Sequence, residues 1–157
     1  MADKIDDLDA RILNLLQEDA RIPLVDLADK VASSRSAVWR RIQKMEEAGV
    51  ISGHTVLLDA EKAGLGVLVF AQVKMHAHSR DVLPDFMEKV RGFPEVIECH
   101  TLMGDIDFIL KVRVRDVQAY EEFFWNHLSQ IDGVREINSS IALTAVKNTT
   151  KLQVVAG

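Results

Sequence analysis

Through residue 48 the apolar residues of this 157-residue chain recur at spacings of three and four; after the break Ala63-Gly64-Leu65-Gly66 they alternate at two or gather in β-branched runs. One element type cannot satisfy both periods, so the switch demands a helical head followed by a sheet-bearing body. In the head, Ile5, Leu8, Ile12, Leu15 and Leu16 predict an amphipathic helix over residues 6–18. Pro23 suits a helix start, and Leu24, Leu27, Ala28 and Val31 supply a second, shorter stripe. Ser33 and Ser34 offer N-cap hydroxyls to a third helix running to about Ala48, where Gly49 takes the left-handed turn that ends it. Val50 to Leu58, with Ser52-Gly53 inside a β-prone stretch, predicts a short hairpin, the wing of a winged helix-turn-helix.

In the body, Val67 to Met75 predicts a strand, and Ser79 caps a helix whose Val82, Leu83, Phe86 and Val90 form one face before Gly92-Phe93-Pro94 closes it. Val96 to Leu102 predicts a second strand and Gly104-Asp105 a turn. Phe108, Leu110, Val112 and Val114 then alternate with Ile109, Lys111, Arg113 and Arg115 in a third strand. Asp116 caps a helix carrying Val117, Tyr120, Phe124, Leu128 and Ile131; Asp132-Gly133 ends it, and a last strand runs from Val134 to about Val146. The order βαββαβ is the split βαβ unit of ferredoxin-like folds. The expected class is therefore α+β: a winged helix-turn-helix over 1–62, a ferredoxin-like domain over 63–147 and a tail at 148–157. Helices cover one face of such a sheet. The other, expected to carry Ile, Val and Phe, would expose an apolar patch in a monomer, so at least a homodimer is expected.

The charge is distributed unevenly. Lys30, Arg35, Arg40, Arg41 and Lys44 crowd the window from Lys30 to Met45 with no acidic residue among them, in a chain whose net charge is −5. One sign of charge on one helix is the electrostatic footprint of a polyanion partner. At 100° per residue Val38, Ile42 and Met45 face the core while Ser36, Arg40, Gln43 and Lys44 face away. That is the arrangement by which a helix-turn-helix enters the major groove of double-stranded DNA. Arg40 can pair with guanine and Gln43 with adenine; Lys44, Lys30, Ser34 and Ser36 suit phosphates. Arg35 in the first turn and Arg41 beside the core stripe either hold phosphate or lie along the surface. Trp39 falls on the boundary between the faces, as a packing residue.

With 48% hydrophobic and 27% charged residues the chain is globular rather than disordered. No apolar run approaches the roughly 18 to 20 residues of a membrane span, and the lone Cys99 excludes an internal disulfide, so a cytoplasmic setting without membrane association is expected. Catalytic residues, a metal site and a cofactor are not expected. Cys99 and His100 are strand neighbours and point to opposite faces, which separates a nucleophile from its base. His76-Ala77-His78 places two imidazoles on one side, but no further Cys or His stands at zinc-like spacing. A stand-alone amino-acid sensor or a ferredoxin-like enzyme, neither binding DNA, are the alternatives.

The run IDDLDARILNLLQEDARIPLVDLADKVASSRSAVWRRIQKMEEAGVISGHTVLLD, followed by a βαββαβ domain containing GDIDF, resembles the Lrp/AsnC (feast/famine) family of transcriptional regulators. The opening Asp6-x-x-Asp9-x-x-Ile12-Leu13, the Arg40-Arg41-Ile42 pattern and the Gly104-Asp105-Ile106-Asp107 turn carry the likeness together and in order. The resemblance implies a DNA-binding domain joined to an effector (RAM) domain that binds amino acids, with dimers often assembling into octamers. It implies a reading helix from Arg35 to Ala48 and an effector pocket around the Gly104–Asp107 turn at an interface between effector domains. His100, Met103, Ser140, Ile141 and Ala142 are further effector positions by the same likeness. Gly104 lets backbone amides approach a ligand carboxylate, and Asp105 or Asp107 can hold an α-ammonium; the alternative is a plain hairpin turn. Ser36-Ala37 stands where many members have Thr-Pro, so operator preference does not carry over.

Overall fold

The computed structural model describes residues 4–76 and 82–157, so His78 and Ser79, expected as half of a histidine pair and as a helix cap, lie outside the described residues. The chain divides into two compact units, one of Met1–Val56 with Lys147–Gly157 and one of Leu57–Val146.

The first unit holds α1 (Asp7–Glu18), α2 (Leu24–Lys30) and α3 (Arg35–Glu47). Asp6 and Asp9 form a capping box that starts α1: the Asp6 carboxylate accepts from the Asp9 amide at 2.9 Å, and the Asp6 amide donates to the Asp9 carboxylate at 3.3 Å. Ile12, Leu27 and Val38, one from each helix, are essentially fully buried together and form the centre of the unit's core. The turn from α2 to α3 is a Schellman arrangement, in which Ala32 donates to the Asp29 carbonyl at 3.1 Å and Ser33 to the Ala28 carbonyl at 3.0 Å. It requires a left-handed residue, and Ala32 supplies it at φ 51, where an L side chain costs about 1 to 2 kcal/mol. Ser34 then caps α3 by accepting from the Ala37 amide at 3.2 Å. Gly49 at φ 72 closes α3 with a second Schellman pair, Gly49 to Glu46 at 3.0 Å and Val50 to Met45 at 2.9 Å.

One expectation fails in this region. No strand forms over residues 50–58, so the wing hairpin is not built; Ser52-Gly53 closes no ladder, Ile51 packs against the helices' core, and Val56, Leu57 and Leu58 are exposed. The segment expected as a tail at 148–157 lies as a strap along α1. The Gln17 amide donates to the Leu152 carbonyl at 2.9 Å and accepts from the Leu152 amide at 2.7 Å; Asn14 does the same for Val154 at 2.9 and 3.4 Å. Two carboxamides one turn apart thereby imitate the edge of a β-strand. Lys151 adds an ion pair to Glu18 at 2.6 Å, and Val154 reaches the three-helix core.

The second unit runs β1 (Val67–Met75), α4 (Val82–Arg91), β2 (Val96–Thr101), β3 (Phe108–Val114), α5 (Val117–Asn126), a single 3₁₀ turn (Leu128–Gln130) and β4 (Val134–Ile141). The strands form one antiparallel sheet in the order β2-β3-β1-β4. Strict alternation sends Val69, Ala71, Val73, Phe108, Leu110 and Val112 to one face, where Phe86 of α4 and Phe123 of α5 complete the core. Gly133, at φ 83, receives the His76 amide at 2.8 Å and sits so close to Val82 that any Cβ would collide with it. β4 ends at Ile141, paired with Val69, rather than near Val146; beyond it Ala142 still donates to the Leu68 carbonyl at 2.9 Å. The face turned away from the helices is also less apolar than expected. The register gives it Leu68, Phe70 and Ile109, while Gln72, Lys74, Glu98, His100, Lys111, Arg113 and Ser140 make the rest polar. The valines that the strands contribute point inward.

Candidate nucleic-acid interface and effector turn

On α3, Val38 and Met45 are buried and turn inward, leaving Ser36, Arg40 and Lys44 exposed on the opposite side. The seven expected DNA contacts separate in this setting. Arg35, Ser36 and Arg40 are exposed. Ser34 is occupied as the N-cap and lies 3.3 Å from the Ser36 hydroxyl. Gln43 donates through its amide nitrogen to Glu46 at 2.9 Å. Arg41 is committed to the fold: its guanidinium meets the Asp6 carboxylate at 2.6 Å and the Asp9 carboxylate at 2.9 Å. The same carboxylates cap α1, so one cluster starts the first helix and moors the third. The Asp9 amide and then Arg41 hold the Asp6 carboxyl below its ordinary range, and Asp9 with Asp6 raises the Arg41 guanidinium. Glu46, which sequence reasoning passed over, also lies 3.4 Å from His54 through its other oxygen.

In the second unit Gly104 is at φ 147 and Met103 is fully exposed at the head of the turn, with Asp105 exposed beside them. Asp107 differs. Its carboxylate accepts from the Met75 amide at 2.8 Å, its own amide donates to Val73 at 2.9 Å and its carbonyl accepts from Leu102 at 2.8 Å, so it ties the turn to the end of β1. His100 faces away from the helices, with Nε2 3.5 Å from Glu98. Ser140 pairs with Phe70, Ile141 with Val69, and Ala142 follows at the far edge. The turn joins β2 to β3 and Ser140 lies on β4, so the two groups occupy opposite sides of a four-stranded sheet. Within one chain the structure does not bring them together. A cleft of about 270 Å³ between α4 and β2, lined among others by Met87, Arg91, Cys99 and Thr101, includes none of these effector candidates.

Cys99 pairs with Leu110 and His100 with Ile109, on opposite faces, and desolvation pushes the Cys99 thiol up. No group of three or more His, Cys, Asp or Glu side chains that could hold a metal forms among the described residues, nor is any helix there long and apolar enough to cross a membrane.

A helix-turn-helix with an outward cationic face, joined to a split βαβ domain with a glycine-aspartate turn, defines a one-component DNA-binding regulator with a ligand-binding module. Residues 5–46 match the AsnC-type helix-turn-helix domain and residues 68–152 the Lrp/AsnC ligand binding domain. The chain belongs to the Lrp/AsnC family of transcriptional regulators. It is 38% identical over 152 residues to the glutamate uptake regulatory protein of Zymomonas mobilis, covering 97% of this chain and 92% of that one. An AsnC family transcriptional regulator from Agrobacterium tumefaciens superposes with a TM-score of 0.89 at 43% identity, covering 94% of this chain and 95% of that one. A transcriptional regulator from Neisseria meningitidis, solved as its complex with L-methionine, gives the same TM-score at 35% identity, again covering 94% and 95%. The chain is thus a DNA-binding transcriptional regulator of this type that carries an effector-binding domain.

Proposed function

We propose that α3 reads operator DNA in the major groove and that an amino acid bound at the Gly104–Asp107 turn modulates DNA binding or assembly. The outward face of α3 carries the first half, because Arg40 and Lys44 stand exposed on the side away from the buried Val38 and Met45, inside a window of five basic residues and no acidic one. Arg40 serves a guanine edge, Lys44, Lys30, Arg35, Ser34 and Ser36 serve phosphates, and Gln43 serves a second base pair. For the second half, Gly104 and exposed Asp105 offer backbone amides and a carboxylate to a zwitterion. The L-methionine complex of the Neisseria regulator supports that ligand class. The turn leads into β3, two strand spacings or roughly 10 Å from β4 at about 4.8 Å each, and it is tied to the Met75 end of β1 while Ser140 pairs with Phe70, so a small ligand touching both takes them from different copies. A homodimer that builds toward an octamer supplies those copies, and DNA as partner sets the protein in the cytoplasm.

The double variant Arg40→Ala, Lys44→Ala should bind genomic DNA fragments more weakly at an unchanged melting temperature. Its salt dependence should also flatten, by about 0.9 log unit per log salt for each phosphate contact removed. Unaltered binding would take α3 out of the groove. A melting screen of the full chain against the twenty amino acids tests the other half, since a ligand of the native state raises its stability. At least one should shift the midpoint upward and alter DNA retention; no shift from any of them would end the effector assignment.

A further inference from the structure

Gln43 and Glu46 lie one turn apart on α3, and the Gln43 Nε2 donates to Glu46 Oε2 at 2.9 Å. The second oxygen of the same carboxylate lies 3.4 Å from His54 Nε2, on the irregular segment that follows the helix. Both oxygens of Glu46 are engaged, one by the helix and one by the chain beyond it. A carboxylate accepts hydrogen bonds and an amide oxygen cannot donate one, so Glu46 must face the nitrogen end of the Gln43 amide. A glutamine without such a neighbour turns its amide over freely, because its last torsion is broad and twofold.

The order in which an amide presents donor and acceptor has a consequence in the major groove. An A·T pair displays acceptor, donor, acceptor, a symmetric pattern that either order can match. A G·C pair displays acceptor, acceptor, donor, which one order matches; the reversed C·G pair accepts only the other. We infer that Glu46, held by His54, is a specificity-determining positioning residue that pins the Gln43 amide in one order and so excludes one orientation of a G·C pair at the base pair Gln43 meets. This rests on α3 being the reading helix. Glu46 touches no base; it acts through Gln43. Glu46→Gln keeps the size of the side chain but can donate as well as accept, and therefore releases the pin.

The test is selection of binding sites from a random double-stranded DNA library by the full-length protein, its Glu46→Gln and Glu46→Ala variants and Gln43→Ala, each first checked for an unchanged thermal midpoint. The wild type should disfavour one orientation of G·C at a single position per half-site. Both Glu46 variants should lose that distinction by about tenfold, keeping every other position; Gln43→Ala should flatten the same position. A Glu46→Gln consensus that keeps the distinction overturns the pin even if Gln43→Ala shows that Gln43 reads DNA. If Gln43→Ala changes no position, the reading role of Gln43 fails and the pin fails with it. Should Glu46→Ala fail to fold, Glu46→Gln alone decides.

Discussion

Two adjacent arginines of the same charge have different work because 100° of helix separates them. Arg40 points outward, while Arg41 falls beside the core stripe and finds Asp6 and Asp9. Sequence spacing placed Arg41 on that flank but could not choose between phosphate and surface, since its partners stand 35 and 32 residues earlier and are themselves cap residues. The linkage follows from the shifted groups. Asp6 has a depressed carboxyl, so its contribution is complete above the ordinary carboxylate pKa and is lost as pH falls through the lower, folded value. Arg41→Ala should therefore lower the melting temperature at neutral pH, and its midpoint should decline less than that of the wild type between about pH 4 and pH 2. Parallel acid declines in the two proteins would mean that Arg41 contributes nothing to this linkage, the Asp9 amide alone holding the Asp6 carboxyl down. Asp107 gives the same lesson in the effector turn. Its residue type suits an ammonium ligand, yet its bond to the Met75 amide makes it part of the framework that shapes the loop.

Elements whose signals are local were legible. The 3.6-residue stripes located all three helices of the first unit, and the strict alternation from Phe108 to Val114 located β3 and its buried face. Elements that depend on a distant partner were not. The β-prone run after Gly49 forms no strand, and β4 stops at Ile141 opposite Val69 although its β-prone sequence runs on to Val146. The strap was least legible, because Asn14 and Gln17 look like solvent-facing residues until Leu152 and Val154 arrive. Its energetics are those of exposed and half-buried neutral hydrogen bonds, about 0.5 to 1.5 kcal/mol each. Asn14→Ala should thus destabilise the first unit by about 1 to 2 kcal/mol, and the loss should be larger in a chain cut before residue 147, where Val154 leaves the core. Urea unfolding followed by Trp39 fluorescence in a Trp125→Phe background isolates that unit; an unmoved midpoint would mean that the strap rides on α1 without supporting it.

At the scale of the whole molecule the split into helical and sheet-bearing bodies was legible from the change of period alone, and the positive window from charge alone. What sequence could not order was the division itself. The change of period sets a body over 63–147 and leaves 148–157 as a tail, while by compactness the chain leaves the first unit after Val56 and re-enters it at Lys147. The candidate effector residues are similarly dispersed: His100 and Ser140 stand on the two edge strands, β2 and β4, with β3 and β1 between them. The strap also sets a schedule for biosynthesis. A ribosome adding about 5 to 20 residues each second releases α3 early, but the segment that completes its unit is translated only after the entire ligand-binding body. The helix-turn-helix unit is begun before the sheet-bearing one and completed after it. A nascent chain interrupted anywhere in between would present α3 on an unfinished fold, exposed to quality control before it could compete for DNA.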